Sequence, residues 1–185
     1  MQHAAIVLIG GHSSRMGKNK ALLPYYGKHL VDYVLDQLKL SGFTDCYLSG
    51  ALPGYDCILD STPHLGPLGG MQSTLHFLES KKYENLFFTP VDMPYLCSEV
   101  IQPLCTPLGK WDARCFLKDP LPLYVRTDAL KKALAQKSVE ETAVFQLFDY
   151  INVEFLSVSK DEKALSNVNT PAEWNAVCNG RIDEN

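Results

Sequence analysis

The sequence predicts an α/β fold, with a mostly parallel sheet covered by helices on both faces. Three features carry that expectation. The chain opens on an unbroken apolar run, residues 4–9, as a strand requires when both of its faces are buried. Runs of strand length then alternate with segments of helical spacing through the first half of the chain. The 185 residues contain no internal repeat, low-complexity tract or Pro/Gly/Ser-rich linker, so residues 1–185 read as one domain.

After the first strand, "HLVDYVLDQLKLSG" (29–42) places Leu30, Val31, Val34, Leu35 and Leu38 at helical spacing, with Gly42 as its C-cap. "DCYLSG" and "DCILDS" follow as two short strands. "GPLGGMQSTLHFLESKKY" starts on glycines and continues as a helix whose core face carries Met71, Leu75 and Leu78. Residues 86–89 of "ENLFFTPVDMPYL" form the next strand, broken at Pro90. A short helix is expected over 97–102 and a strand over 113–117. "PLYVRTDALKKALAQ" reads as strand then helix, capped by Thr127 or Asp128. Residues 140–150 read as helix and 151–158 as an alternating strand. In "NTPAEWNAVCN", Thr170 as N-cap, Pro171 at the first helical position and Glu173 at the third make a capping box.

Composition narrows the function. Hydrophobic residues are 46% and charged residues 21% of the chain, which argues against disorder. A net charge of −4 argues against broad nucleic-acid binding. No apolar stretch is long enough to span a bilayer, and "MQHAAIVLIGG" lacks the basic flank of an export signal, so a cytoplasmic location is expected, with no membrane partner. The six cysteines form no C-x-x-C pair and no zinc-site spacing, so reduced thiols are expected.

Chemistry gathers in three loops, each at the carboxyl end of a strand, where open α/β sheets bind ligands. In "LIGGHSSRMGKNKALLP", Gly10 and Gly11 let the backbone approach an anion, while Arg15, Lys18 and Lys20, with Lys28 beyond, supply charge. The spacing fails both G-x-x-x-x-G-K-S/T and G-x-G-x-x-G, and the loop alone also reads as a solvated turn. Asp92, set between Pro90 and Pro94, offers a hard oxygen of the kind Mg²⁺ prefers beside phosphate; alone it reads more readily as a turn residue. In "LDSTPHLGPLGG", Asp60 ends a strand, and Gly66, Gly69 and Gly70 allow close packing on a flat ligand. His12 and His64 read as loop residues. Ser13, Ser14 and Ser61 lack a nucleophile elbow, so direct displacement at phosphorus is the more economical chemistry.

Taken together and in order, these segments resemble the molybdenum cofactor guanylyltransferase family. "LIGGHSSRMGKNKALLPYYGKHL" is similar to its L-x-G-G, R-M-G, lysine, L-L-x-x-x-G-x-x-L signature. "GPLGGM", "PVDMPYL" and "NVNTPAEW" resemble its G-P-L-A-G, P-x-D-x-P and N-x-N-T-P segments. The resemblance implies a Rossmann-like, three-layer α/β/α nucleotidyltransferase. Such an enzyme transfers GMP from Mg·GTP to molybdopterin carrying molybdenum, releasing pyrophosphate. It further implies that Leu8, Ile9, Gly10 and Gly11 contact GTP, that Arg15 and Lys20 bind its phosphates, and that Asp60 lies at the guanine or ribose end. Asp92 would hold Mg²⁺ and lie near the nucleotide, and Asn167 and Asn169 would face the pterin. Ser49 stands where the family often has a nucleotide-contacting Asn, and Lys118-Asp119-Pro120 replaces a His-Pro-type stretch. Transient contacts with molybdenum-insertion and molybdoenzyme-maturation proteins are implied as well.

The related cytidylyltransferases share these loops but tend to read L-A-A-G where this chain has Leu8-Ile9-Gly10-Gly11, which favours guanine. A sugar-nucleotide pyrophosphorylase would need a longer chain. A catalytically inactive GTP-binding accessory protein fits poorly with Arg15, Lys20 and Asp92 all being present.

Overall fold

The computed structural model describes residues 2–9, 19–61, 66–117, 119–138, 142–158 and 162–179. At its centre is strand β1 (His3–Leu8), in which Ala4, Ala5, Ile6 and Val7 are wholly shielded from solvent. The chain next makes a small antiparallel hairpin, β2 (Pro24–Tyr25) with β3 (Lys28–His29), and enters helix α1 (Leu30–Leu40). Strand β4 (Asp45–Ser49), helix α2 (Gly66–Phe77), strand β5 (Asn85–Pro90) and helix α3 (Ser98–Leu104) follow. Strands β6 (Ala113–Phe116) and β7 (Asp119–Arg126), helix α4 (Thr127–Gln136), strand β8 (Val153–Leu156) and helix α5 (Pro171–Asn179) complete the order.

Six strands form one sheet in the order β4-β1-β5-β7-β6-β8. β1 pairs in parallel with β4 and β5, and β6 with β8; β7 runs antiparallel to both of its neighbours. The connection from β6 to β7 is too short for a crossover, so the pair must fold back as a hairpin, which slots β7 between β5 and β6. The sheet is mostly parallel, as expected, with this one reversal.

The strand period of two divides the core between the faces. Ala5, Val7, Phe87 and Tyr124 join one apolar cluster with α1, α3 and α5, through residues such as Val34, Ile101 and Trp174. Ala4, Ile6, Leu86, Phe88 and Leu123 join the other with α2 and α4, through Leu68, Met71, Leu75 and Leu130. Each fully buried Leu, Ile, Phe or Met side chain contributes roughly 1.5–3 kcal/mol. Helices must therefore cover both faces, giving the three-layer α/β/α arrangement.

Several local expectations are corrected. The second strand of "DCYLSG…DCILDS" shrinks to one bridge, Ser49 to Ile58, because the residues after Ile58 are exposed and nothing buries a longer strand. β5 runs through Pro90, which pairs with Leu8; Pro90 closes the ladder at its last position, where a lost donor matters least. Neither Thr127 nor Asp128 caps α4: the N–H of Thr127 donates to the Glu84 carbonyl at 2.9 Å, so a neighbouring segment serves that helix end. Residues 144–149 of the expected 140–150 helix form a 3-10 helix, with Val144 and Leu147 buried three residues apart, its natural period; residues 139–141 lie outside the described residues. All six cysteines are free thiols.

Arg114 fastens the far side of the sheet. Its buried guanidinium donates to the carbonyls of Leu104 (3.0 Å) and Thr106 (2.8 Å), and pairs with Glu154 through Nε (2.7 Å) and Nη2 (2.6 Å). It thus ties the end of α3 to β6 and β8. Arg114→Met removes the donors while keeping the stem, and should lower unfolding free energy by about 2–4 kcal/mol, read from urea denaturation.

Candidate active site

The order of strands reverses at β1. α1 leads to β4 on one side and packs on one face, while α2 leads from β4 back to β5 and packs on the other. A crevice opens at the carboxyl ends of β1 and β5, the switch point where open α/β sheets take ligands. Lys20, Asp60, Asp92 and Asn169, among the described members of the segments singled out in the sequence, lie here.

Lys20 begins a short 3-10 turn, Lys20–Leu22, whose N-cap Asn19 accepts from the Ala21 N–H at 3.0 Å. Its ammonium donates to Asp92 Oδ2 and to Asn169 Oδ1, each at 2.7 Å. Lys20 and Asp92 are mostly buried, with side-chain exposures of 16% and 19%. The Asp92 loop is fixed by its backbone: the Val91 N–H donates to the Leu8 carbonyl at 3.1 Å, and the Asp92 carbonyl accepts from the Val168 N–H at 2.9 Å. Buried Tyr25 adds a strut, its hydroxyl donating to the Pro94 carbonyl at 2.6 Å while its ring packs 5.5 Å from Trp174 of α5.

Asn169 is held by the capping box at the start of α5, as its sequence predicts. The Glu173 carboxylate accepts from the N–H groups of Asn169 (2.6 Å) and Thr170 (2.9 Å), and Thr170 Oγ1 accepts from the Glu173 N–H at 3.2 Å. Those backbone hydrogen bonds hold the Glu173 carboxyl below its ordinary 4.5.

A second part of the crevice is a cavity of about 60 Å³ lined by Leu8, Ser49, Asp60, Gly70 and Leu121, among others. Ser49 is buried, and its Oγ has no hydrogen-bond partner among the described residues, an unmet polar group at the edge of this small notch. A Cβ on Gly70 would stand 2.8 Å from that Oγ and 3.0 Å from Leu8 Cδ2, so glycine keeps the notch open. Much of Asp60 faces solvent, yet partial burial pushes its carboxyl above the ordinary 3.8, so a donor from a ligand would relieve its charged form.

Of the residues read from the sequence, Lys20, Asp92 and Asn169 are brought into one hydrogen-bonded set, and Leu8, Ser49 and Asp60 into the adjoining cavity. Ile9 reaches the edge, but its N–H already donates to the Ser49 carbonyl at 2.9 Å and is closed to a ligand. Asn167 is exposed and takes no part in the set among the described residues. Lys28, counted among the loop's cations, pairs instead with Asp36 at 2.6 Å on the surface. Gly10, Gly11, His12, Arg15, Lys18, His64 and Lys118 lie outside the described residues. Sequence reading missed Tyr25; its only signal was an aromatic pair before the Gly27 turn, equally readable as core.

Asp92 Oδ2 and Asn169 Oδ1 converge on one cationic point, now taken by the Lys20 ammonium, and both are hard oxygen donors. That donor set fits a hard divalent ion. Among the described residues no cluster of three or more His, Cys, Asp or Glu could hold a metal.

Comparison with known proteins identifies the family and the fold. Residues 5–146 match the family model described as a MobA-like NTP transferase domain. The chain is 33% identical to a molybdenum cofactor guanylyltransferase of Xanthomonas euvesicatoria pv. vesicatoria, covering 96% of this chain and 95% of that one. It is 31% identical to the guanylyltransferase of Yersinia pestis, over 91% of each. Among solved structures it resembles the Archaeoglobus fulgidus molybdopterin-guanine dinucleotide biosynthesis protein A (TM-score 0.72, 22% identity, 96% of this chain and 99% of that one). A CMP:2-keto-3-deoxy-manno-octonic acid synthetase complexed with CTP has the same fold (TM-score 0.72, 14% identity, 100% and 99%).

Two expectations follow from the geometry. Gly70→Ala should cost about 1–3 kcal/mol. Ser49→Ala in the same chain should recover part of that loss, giving a coupling of roughly 0.5–3 kcal/mol in a double-mutant cycle of chemical denaturation. The depressed Glu173 carboxyl contributes stability that is full above 4.5 and is lost as pH falls through its lower folded value. Glu173→Gln should therefore flatten the acid limb of a stability–pH profile below 4.5.

Proposed function

This chain belongs to the MobA-like NTP transferase family, and from that premise we propose that it is a molybdenum cofactor guanylyltransferase. It takes GTP and molybdopterin carrying molybdenum, and makes the guanine dinucleotide form of the cofactor and pyrophosphate. The observation that carries the reading is the convergence of Lys20, Asp92 and Asn169 at the carboxyl edge of β1 and β5. The sheet draws strands from near both ends of the chain, β1 and β8, which supports one catalytic domain.

A terminal phosphate oxygen of the pterin attacks the α-phosphorus of GTP. The new P–O bond forms as the bond to the β-phosphate oxygen breaks, and the electron pair leaves with pyrophosphate. Such a reaction depends on positioning and charge rather than on a protein nucleophile. Lys20 neutralises charge that develops on the departing phosphates, and Arg15 would add a bidentate clamp. Asp92 and Asn169 would hold Mg²⁺, which when bound supplies Lewis-acid stabilisation of the phosphate oxygens. Ser49 and Asp60 offer a hydroxyl and a carboxylate to the nucleoside, and Gly70 keeps their notch open. Asn167, exposed beside Asn169, is free to meet the pterin. No helix among the described residues is long and apolar enough to cross a membrane. The reaction is assigned to the cytoplasm, with transient contacts to proteins that insert molybdenum and mature molybdoenzymes.

The test is a nucleotide panel with purified protein, Mg²⁺, molybdenum-loaded molybdopterin and GTP, CTP or ATP, following pyrophosphate and the dinucleotide. Turnover with GTP alone is expected. CTP-selective turnover would overturn the base assignment, and no turnover with a verified pterin would overturn the enzyme class. Asp92→Ala should lose at least about 100-fold in kcat while remaining folded, with a lowered melting temperature because the mostly buried Lys20 ammonium loses its partner.

A further inference from the structure

Lys20 sits where a metal ion would. Its ammonium lies 2.7 Å from Asp92 Oδ2 and 2.7 Å from Asn169 Oδ1, a geometry of two charge-assisted or polar contacts to oxygens from separate parts of the chain. These are the two hard donors that the proposed reaction assigns to the divalent ion. Both charged groups are mostly buried, so their mutual attraction is poorly screened and a second cation at the same point would be strongly repelled. One seat cannot hold both.

We infer that Lys20 is a tethered place-holder for the divalent cation, so that the metal enters only as nucleotide phosphates draw the ammonium away. The inference rests on reading Asp92 as the metal's carboxylate. The triphosphate, with several anionic oxygens, competes for Lys20 against one carboxylate and one amide. Only the side chain has to move, because Asn19 caps the turn that carries Lys20 and the Leu23 N–H donates to the Lys20 carbonyl at 3.1 Å. The long, flexible stem of lysine suits that transfer. When the ammonium leaves, both oxygens are released to the ion that arrives with the nucleotide. Metal and nucleotide binding are then positively coupled, each strengthening the other by the same factor. Without nucleotide, the charge of Asp92 stays compensated and free divalent ions are turned away.

Mn²⁺ serves as the probe, its free concentration read by electron paramagnetic resonance during titration of the full chain without nucleotide. The parent should bind Mn²⁺ weakly, and Lys20→Met should bind it at least about 10-fold more tightly. Lys20→Met combined with Asp92→Asn should lose that gain, which locates the ion at Asp92. Lys20→Gln, titrated alongside, separates the effect of charge from a packing defect in one variant; a gain in neither folded variant overturns the inference. In that case, parent protein that still binds Mn²⁺ with α,β-methylene GTP leaves the proposed function standing. Parent protein that binds neither Mn²⁺ nor the analogue, even together, counts against the proposed function itself.

Discussion

Burial of β1 on both faces is the constraint from which the rest of the structure follows. Ala4, Ala5, Ile6 and Val7 expose nothing to solvent, so the sheet cannot be left open on either side. Covering both faces requires crossover helices on opposite sides, and that winding makes the chain leave β1 in one direction and return beside it from the other. The crevice at its carboxyl end is thus a by-product of satisfying an apolar strand. The backbone there is already pinned: the Leu8 carbonyl and the Ile9 N–H are used by Val91 and Ser49, which fixes the loops that bear the chemistry to the rigid centre.

The site itself is a junction of three remote segments. Lys20, Asp92 and Asn169 come from a turn after β1, a loop after β5 and the entry to α5. Each is oriented by its own local device: an asparagine cap at Lys20, backbone hydrogen bonds and the Tyr25 strut at Asp92, and the capping box at Asn169. Pre-organisation of this kind holds the backbone at each segment in place, so that only the Lys20 side chain has to shift for a charged ligand. Ser49 Oγ and the Gly70 backbone mark the adjoining notch, where one hydroxyl is unmet among the described residues and a glycine leaves room beside it.

Much of this was legible in the residues. The unbroken apolar run at β1, the helical spacing of Val31, Val34 and Leu38, and the Thr170–Glu173 box each state their structure locally. The loop chemistry at Lys20 and Asp92 was legible too, because strand ends in α/β sheets select those positions, whereas Asn169 came only with the family resemblance. What could not be read depended on partners distant in sequence. The reversal of β7 is set by which neighbours it inserts between, and its own apolar run is silent on direction. The failed cap at Thr127 depends on the Glu84 carbonyl, more than 40 residues earlier. The single rung at Ile58 reflects a lack of cover that a strand-like sequence does not reveal. Tyr25 acts through a carbonyl of Pro94, and no spacing rule announces such a contact.

The bond from Lys20 to Asn169 closes a separation of 149 residues. Chains are made from the amino terminus, and their early elements begin to fold before later ones exist. β1 and the Lys20 turn can therefore be in place while Asn169 has yet to emerge from the ribosome, and the Asp92 loop then still lacks its hydrogen bond from the Val168 N–H. A nascent chain at that stage would display a lysine–aspartate pair open on one side, and its last oxygen would arrive only with α5. The set of Lys20, Asp92 and Asn169 is complete only once α5 has been made, so a chain lacking α5 would hold the pair without its third member.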